Sequence, residues 1–388
     1  MEHIIQYLKQ YGNIPFAQKK FSEVDALVLA QFSYLKFDGL VPRLTDDRDG
    51  ISLLRMKQEM DDSVVYADER YEKDNRALFE GMAAGKRFQT MVCNFYTDII
   101  DEAVETQFSA ITCFPDGALP VIVFRGTDEN IVGWKEDFNM AFRKPVTGQK
   151  LSVLYMNQTG LRLTKSFLVC GHSKGGNFAV YSAMNVQKEI QNRIQKIYSF
   201  DGPGFRPEIL SSDDYAKIES RVEKLIPHSS LVGMILENHE NYKVVESSSV
   251  GVLQHNPYTW ILEGDHFKWA DDIYKGTKFM NHSMNEWILK LNDDELNTFV
   301  ETFFSVIEGA DVRTTIEVTM DWKKSMIGIL NAMKNVDDDT KETIRHILLQ
   351  FFEILAVQLK KNKAGNKKQK IRKKTGKTLN IIEKKDDK

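Results

Sequence analysis

One short stretch constrains this chain more than any other: Cys170-Gly171-His172-Ser173-Lys174-Gly175-Gly176. It holds a G-x-S-x-G pattern, which recurs by chance in long chains, so its setting carries the weight. The apolar run SFLVC (166–170) leads into it, and a helical pattern over about 175–188 follows. A strand, a tight turn and a helix in that order make a nucleophile elbow. The serine sits on a sharp, strained bend that lifts its hydroxyl clear of the sheet. A side chain at Gly171 or Gly175 would run into neighbouring strand or helix backbone. The Ser173 and Lys174 amides then stand at a helix N-terminus, where the dipole favours negative charge.

A serine alone is a poor nucleophile at neutral pH. It needs an imidazole to take its proton and a carboxylate to orient that imidazole. In an elbow architecture these follow in the order serine, acid, histidine. The downstream histidines are His228, His239, His255, His266, His282 and His346. His346 falls in a terminal helical pattern and His282 lies far beyond the strands. His255 is preferred as base, since it stands in a loop after the last clear strand, with His239 and His266 as the alternatives. Asp201 is the preferred acid, because it ends the strand KIYSF (196–200), and chemistry in open α/β sheets gathers at strand carboxyl ends. Capping of the following Gly-Pro turn is its plainer role. Asp265 and Glu237 are the fallbacks. An oxyanion needs donors. The Lys174 amide is one, and Thr127, in Phe124-Arg125-Gly126-Thr127, offers an amide and a hydroxyl.

Around this motif the chain alternates. Residues 1–85 read as helical, with one helix over Phe21 to Phe37, started by Ser22 or Asp25, and another over 63–84. Strand-like runs follow at 91–100, 108–114 and 118–124, the last two joined by a turn at 115–117. After Thr127 a helix is expected from about Asn130 or Ile131. Further strands are expected at 166–170, 196–200, 222–227 and 242–247. The expected fold class is α/β: a largely parallel sheet with helices on both faces and one antiparallel edge. Residues 1–290 form that domain. A helical extension is expected over 291–360, where Thr340 to Leu359 keeps an apolar face, and a basic tail over 361–388.

Charge divides the chain. Lys360 to Lys388 carries 13 basic and 3 acidic residues, leaving 39 basic and 52 acidic elsewhere. The body is therefore acidic and the tail is basic. Three cysteines, Cys93, Cys113 and Cys170, are too few and scattered for a disulfide framework or a zinc cluster, and read as small buried hydrophobes. The start MEHIIQYLKQYG has no basic leader, and no apolar run reaches the ~18 residues that span a bilayer. A cytoplasmic location is the expectation. Neither H-E-x-x-H nor G-x-x-x-x-G-K-[ST] occurs, so no metal or other cofactor is expected.

VIVFRGTDENIVGWKEDF followed by FLVCGHSKGGNFAVYSA resembles the lipase class 3 branch of the α/β-hydrolases. Phe124, Arg125, Gly126, Thr127, Trp134, Asp137, Gly171, His172, Ser173, Gly175 and Gly176 carry the likeness. A closer resemblance is to a bacterial α/β-hydrolase-like family. Tyr11 to Phe16, Phe21 to Ala30, the G-H-S-K-G-G elbow and Gln254-His255 to Trp260 carry that one. Together they cover about residues 10–290 and imply an α/β-hydrolase fold. Two departures stand out. Class 3 lipases place the acid in a D-x-V-P segment, where this chain has Ser229 and Ser230, so the acid is expected to have moved to Asp201. Lys174 replaces the usual apolar residue and is expected to bring a positive charge to the site entrance.

The leading reading is a serine hydrolase, lipase- or carboxylesterase-like, with Ser173 as nucleophile, His255 as base, Asp201 as acid and Thr127 with Lys174 at the oxyanion. Its substrate would be a small-molecule or lipid-like acyl ester. Residues 141–163 are either a crossover helix or a lid whose Leu151, Val153, Leu154, Tyr155 and Met156 form an apolar acyl surface. The competing reading keeps the fold as a scaffold, with the helical carboxyl region and basic tail meeting anionic lipid or RNA.

Overall fold

The computed structural model describes residues 2–67, 71–101, 103, 106–127, 136, 140, 145–236, 241–292, 294, 295 and 298. Its strands, in chain order, are β1 (Ile51–Ser52), β2 (Val92–Asp101), β3 (Thr106–Phe114), β4 (Val121–Phe124), β5 (Phe167–His172), β6 (Ile194–Phe200), β7 (Val222–Pro227), β8 (Lys243–Val245), β9 (Leu262–Glu263), β10 (His266–Phe267) and β11 (Trp269–Ala270). One sheet runs β1-β2-β3-β4-β5-β6-β7-β8-β11, and β9 pairs with β10 apart from it. Pairing is antiparallel from β1 to β4, parallel from β4 to β8, and antiparallel again where β11 meets β8.

Period-two alternation along the central strands feeds two cores. Val121 and Val123 of β4 and Cys170 of β5 pack toward the amino-terminal helices. Ile122 and Phe124 of β4 and Val169 of β5 pack toward the helices Thr147–Arg162 and Lys174–Asn185. Both faces of the sheet are thus covered, and the fold is that of the α/β-hydrolases. Cys93, Cys113 and Cys170 are buried, and burial pushes the Cys93 and Cys170 thiols well up.

The expected helix at Phe21 to Phe37 spans Glu23–Phe32 and is buried along Val24 to Phe32. Asp25 reaches back to the Ser22 amide at 2.9 Å, which starts the helix there. Inside the fold Asp25 also receives Arg87 through two bonds of 2.7 and 2.6 Å and the Tyr7 hydroxyl at 2.8 Å. The second expected helix, 63–84, is divided into Asp62–Val65 and Glu72–Ala84. Tyr71 caps the latter at φ 113°, a left-handed conformation that no helix continues through. Residues 147–162 form a crossover helix. Tyr155 and Met156 turn into the core beneath it, and Tyr155 Oη lies 2.9 Å from Thr112 Oγ1 and donates to the Phe95 carbonyl at 2.8 Å. Those two side chains therefore build core, not an acyl surface.

Strand register brings the site together. Phe124 pairs with Gly171, and His172 pairs with Phe200, so β4, β5 and β6 end level. Thr127, Ser173 and Asp201 emerge just beyond those ends. Trp134, Asp137, Glu237, His239, His346, the helix expected near 130, the 361–388 tail and nearly all of the 291–360 extension lie outside the described residues. No described helix is long and apolar enough to cross a membrane.

Candidate active site

Ser173 stands between β5 and the Lys174–Asn185 helix at φ 57° and ψ −132°. Such a backbone costs about 1–3 kcal/mol and persists only where the surroundings enforce it. Here the Ser173 amide donates to the Phe200 carbonyl at 2.9 Å, and its carbonyl accepts from the Gly176 amide at 2.8 Å. A Cβ on Gly171 would meet the Gly175 carbonyl oxygen at 2.2 Å, and one on Gly175 would meet the Phe124 carbonyl oxygen at 2.1 Å. The bend needs both glycines because strand and helix backbones touch there.

His255 Nδ1 lies 2.6 Å from Asp201 Oδ2. A carboxylate accepts, so Nδ1 carries the proton and Nε2 is the basic nitrogen. Asp201 follows β6 at φ 49°, a conformation aspartate tolerates better than most residues. Its other oxygen, Oδ1, accepts from the Ser230 hydroxyl at 2.5 Å and the Gly233 amide at 3.2 Å. Thr127, Ser173 and His255 line one cavity of about 20 Å³, together with Gln31 and Tyr34.

The loop that bears His255 is anchored on both sides. Gln254 accepts the Ser229 amide at 2.8 Å and donates to the Ser249 carbonyl at 2.8 Å. The fully buried Trp260 indole donates to the Gln254 carbonyl at 2.8 Å. These bonds give the Gln254-His255 to Trp260 motif its physical content. His172 clamps the same loop from the elbow: Nε2 bonds the His255 carbonyl at 2.9 Å and Nδ1 bonds the Tyr34 hydroxyl at 2.9 Å. The carbonyl only accepts, so Nε2 carries the proton, and the neutral ring accepts from Tyr34 at Nδ1.

Lys174 corrects an expectation. Its side chain is buried, not at an entrance, and its Nζ donates to Glu136 Oε2 at 3.1 Å. Glu136 also accepts from the Gln107 amide at 3.1 Å and the Gly148 amide at 2.8 Å. A buried ammonium requires such a partner. Arg125 is likewise buried and grips Asp98 of β2 through bonds of 2.9 and 2.7 Å, tying the Thr127 segment to the antiparallel half of the sheet.

The alternative residues lie elsewhere. Asp265 pairs with Lys19 and His266, and both Asp265 and His266 are about half exposed. His282 is exposed on the Lys275–Lys290 helix. His228 is buried, its Nδ1 accepting the Ser247 amide at 3.3 Å, and burial lowers its pKa below the ordinary imidazole value. Sequence reasoning named Ser230 only as a departure from the lipase pattern, with no role of its own, and did not single out Gly233, Tyr34 or Glu136. The one available signal was the Ser229-Ser230 pair standing where the lipase resemblance puts an acid.

Among solved structures the chain is similar to the M37 lipase, with 14% identity over 62% of this chain and 83% of that one, at a TM-score of 0.36. It is also similar to a fungal lipase in an inhibitor complex, with 17% identity over 39% of this chain and 65% of that one, at a TM-score of 0.27. Among curated proteins none matches. Residues 82–305, more than half of the chain, match the model of the Mbeg1-like family, and the chain belongs to that family.

Proposed function

We propose that this protein is a serine hydrolase of acyl esters. Ser173 Oγ attacks the ester carbonyl carbon while His255 Nε2 takes the hydroxyl proton. Asp201 holds Nδ1–H and stabilises the imidazolium that forms. The tetrahedral oxyanion is received by the amides of Thr127 and Lys174. His255 then returns the proton to the departing alkoxide, leaving an acyl-Ser173. Water, deprotonated by the same imidazole, attacks that acyl group and releases the carboxylic acid and the free serine.

The observation that carries this reading is the 2.6 Å bond from His255 to Asp201 beside a strained Ser173 on the same cavity. A lipase-like relationship agrees with it. The test is covalent labelling with a fluorophosphonate whose phosphorus carries a methyl group. Labelling of the folded protein that disappears in Ser173→Ala is expected. A folded wild type that takes up no label and turns over no ester overturns the proposal.

A further inference from the structure

We infer that the site accepts an acetyl-sized acyl group and that Gln31 and Tyr34 set this limit; the inference rests on the hydrolase reading above. The cavity at Ser173 and His255 measures about 20 Å³. That is room for little more than one water, or one methyl group beside the reacting carbonyl. Two of its walls, Gln31 and Tyr34, come from the end of the buried Glu23–Phe32 helix and the turn after it, and both are nearly inaccessible.

Neither wall is free to swing aside. Gln31 Nε2 donates to Asn75 Oδ1 at 2.9 Å, and the same oxygen accepts the Tyr258 hydroxyl at 2.7 Å. Tyr34 donates to His172, which in turn holds the His255 carbonyl. Displacing Gln31 would break the buried bond from its own amide to Asn75, whose oxygen would keep only the Tyr258 hydroxyl. Displacing Tyr34 would unpin His172 and disturb the loop that carries the base. Stranding a buried polar group costs more than burying one or two extra methylenes returns, and an amide and a phenol are poor partners for a methylene. Of the crossover helix, Tyr155 and Met156 are committed to the core and the half-exposed Leu154 is not among the residues lining this cavity. The fitting substrates are therefore acetyl-type esters, with selectivity falling as the acyl chain lengthens.

The experiment compares p-nitrophenyl acetate, butyrate and octanoate on the full chain, with Ser173 labelling run in parallel. We expect kcat/KM to fall about tenfold or more from acetate to butyrate, and further for octanoate. Gln31→Ala should narrow the acetate-to-butyrate ratio. Tyr34→Leu is the second variant should the first not fold, with thermal unfolding as the check on both. Butyrate or octanoate turned over as efficiently as acetate, by a protein that labels at Ser173, overturns the size limit and leaves the hydrolase reading standing. An unchanged ratio in folded variants removes Gln31 and Tyr34 as its source. No label and no turnover of any ester overturns the reading and the selectivity together.

Discussion

The Ser230 hydroxyl donates to the Asp201 carboxylate at 2.5 Å, from the place in the chain where the lipase resemblance puts the acid itself. The segment after β7 supplies a hydroxyl instead, and the carboxylate arrives from the end of β6. The carboxylate that meets the His255 ring is thus held by groups from two neighbouring strand ends.

This pairing makes Asp201 and Ser230 unequal. Asp201→Asn should lower kcat by about four orders of magnitude, because the amide no longer enforces the basic Nε2 tautomer of His255. Ser230→Ala removes one bond to a carboxylate and should cost about ten- to a hundredfold. Steady-state kinetics on both variants check the order. Near-normal turnover in Asp201→Asn would move the acid elsewhere.

Gly233 packs directly against the same carboxylate. A Cβ there would lie 2.3 Å from Asp201 Oδ1, 2.8 Å from Ile226 Cγ2 and 2.9 Å from Ser230 Oγ. Gly233→Ala should therefore destabilise the fold by about 1–3 kcal/mol and depress kcat by displacing Asp201. Urea unfolding and ester turnover measure the two effects. An alanine variant with wild-type stability and rate would contradict this packing.

The Lys174–Glu136 pair is buried at both ends. Lys174→Met leaves Glu136 uncompensated and should cost about 3–5 kcal/mol. Adding Glu136→Gln should recover part of that loss by removing the stranded charge, even though its single carbonyl oxygen can accept from only one of the Gln107 and Gly148 amides. Thermal denaturation of the single and double variants decides it. A double variant no more stable than Lys174→Met alone would run against the argument.

His228 links stability to acidity. Its folded pKa is lowered from 6.5 by burial, so the ring is neutral in the fold and takes up a proton more readily once unfolded. Its stabilising contribution is complete above 6.5 and is lost as pH falls through the lowered folded value. The melting temperature should drop between pH 7.5 and 5.5, and His228→Gln should flatten that slope. His3, also lowered by burial, contributes in the same direction and persists in the variant. A slope unaltered by His228→Gln would exclude His228 as a source.

Much of the site was legible along the chain because its parts are local. The elbow is a contiguous strand, turn and helix, so Gly171, Ser173 and Gly175 announced themselves through spacing and flanking periodicity. Asp201 was readable as a residue at a strand end. His255 was readable only as one histidine among six downstream, preferred for its loop. Folding decided what spacing along the chain does not carry. Register between β4, β5 and β6 leveled three strand ends and brought Asp201 against a ring 54 positions away. The burial of Lys174 beside Glu136, the commitment of Tyr155 and Met156 to the core, and the Gln31 and Tyr34 walls depend on contacts between distant segments. A local pattern sets which way a side chain points from its own element; only the packed neighbours settle what it meets there.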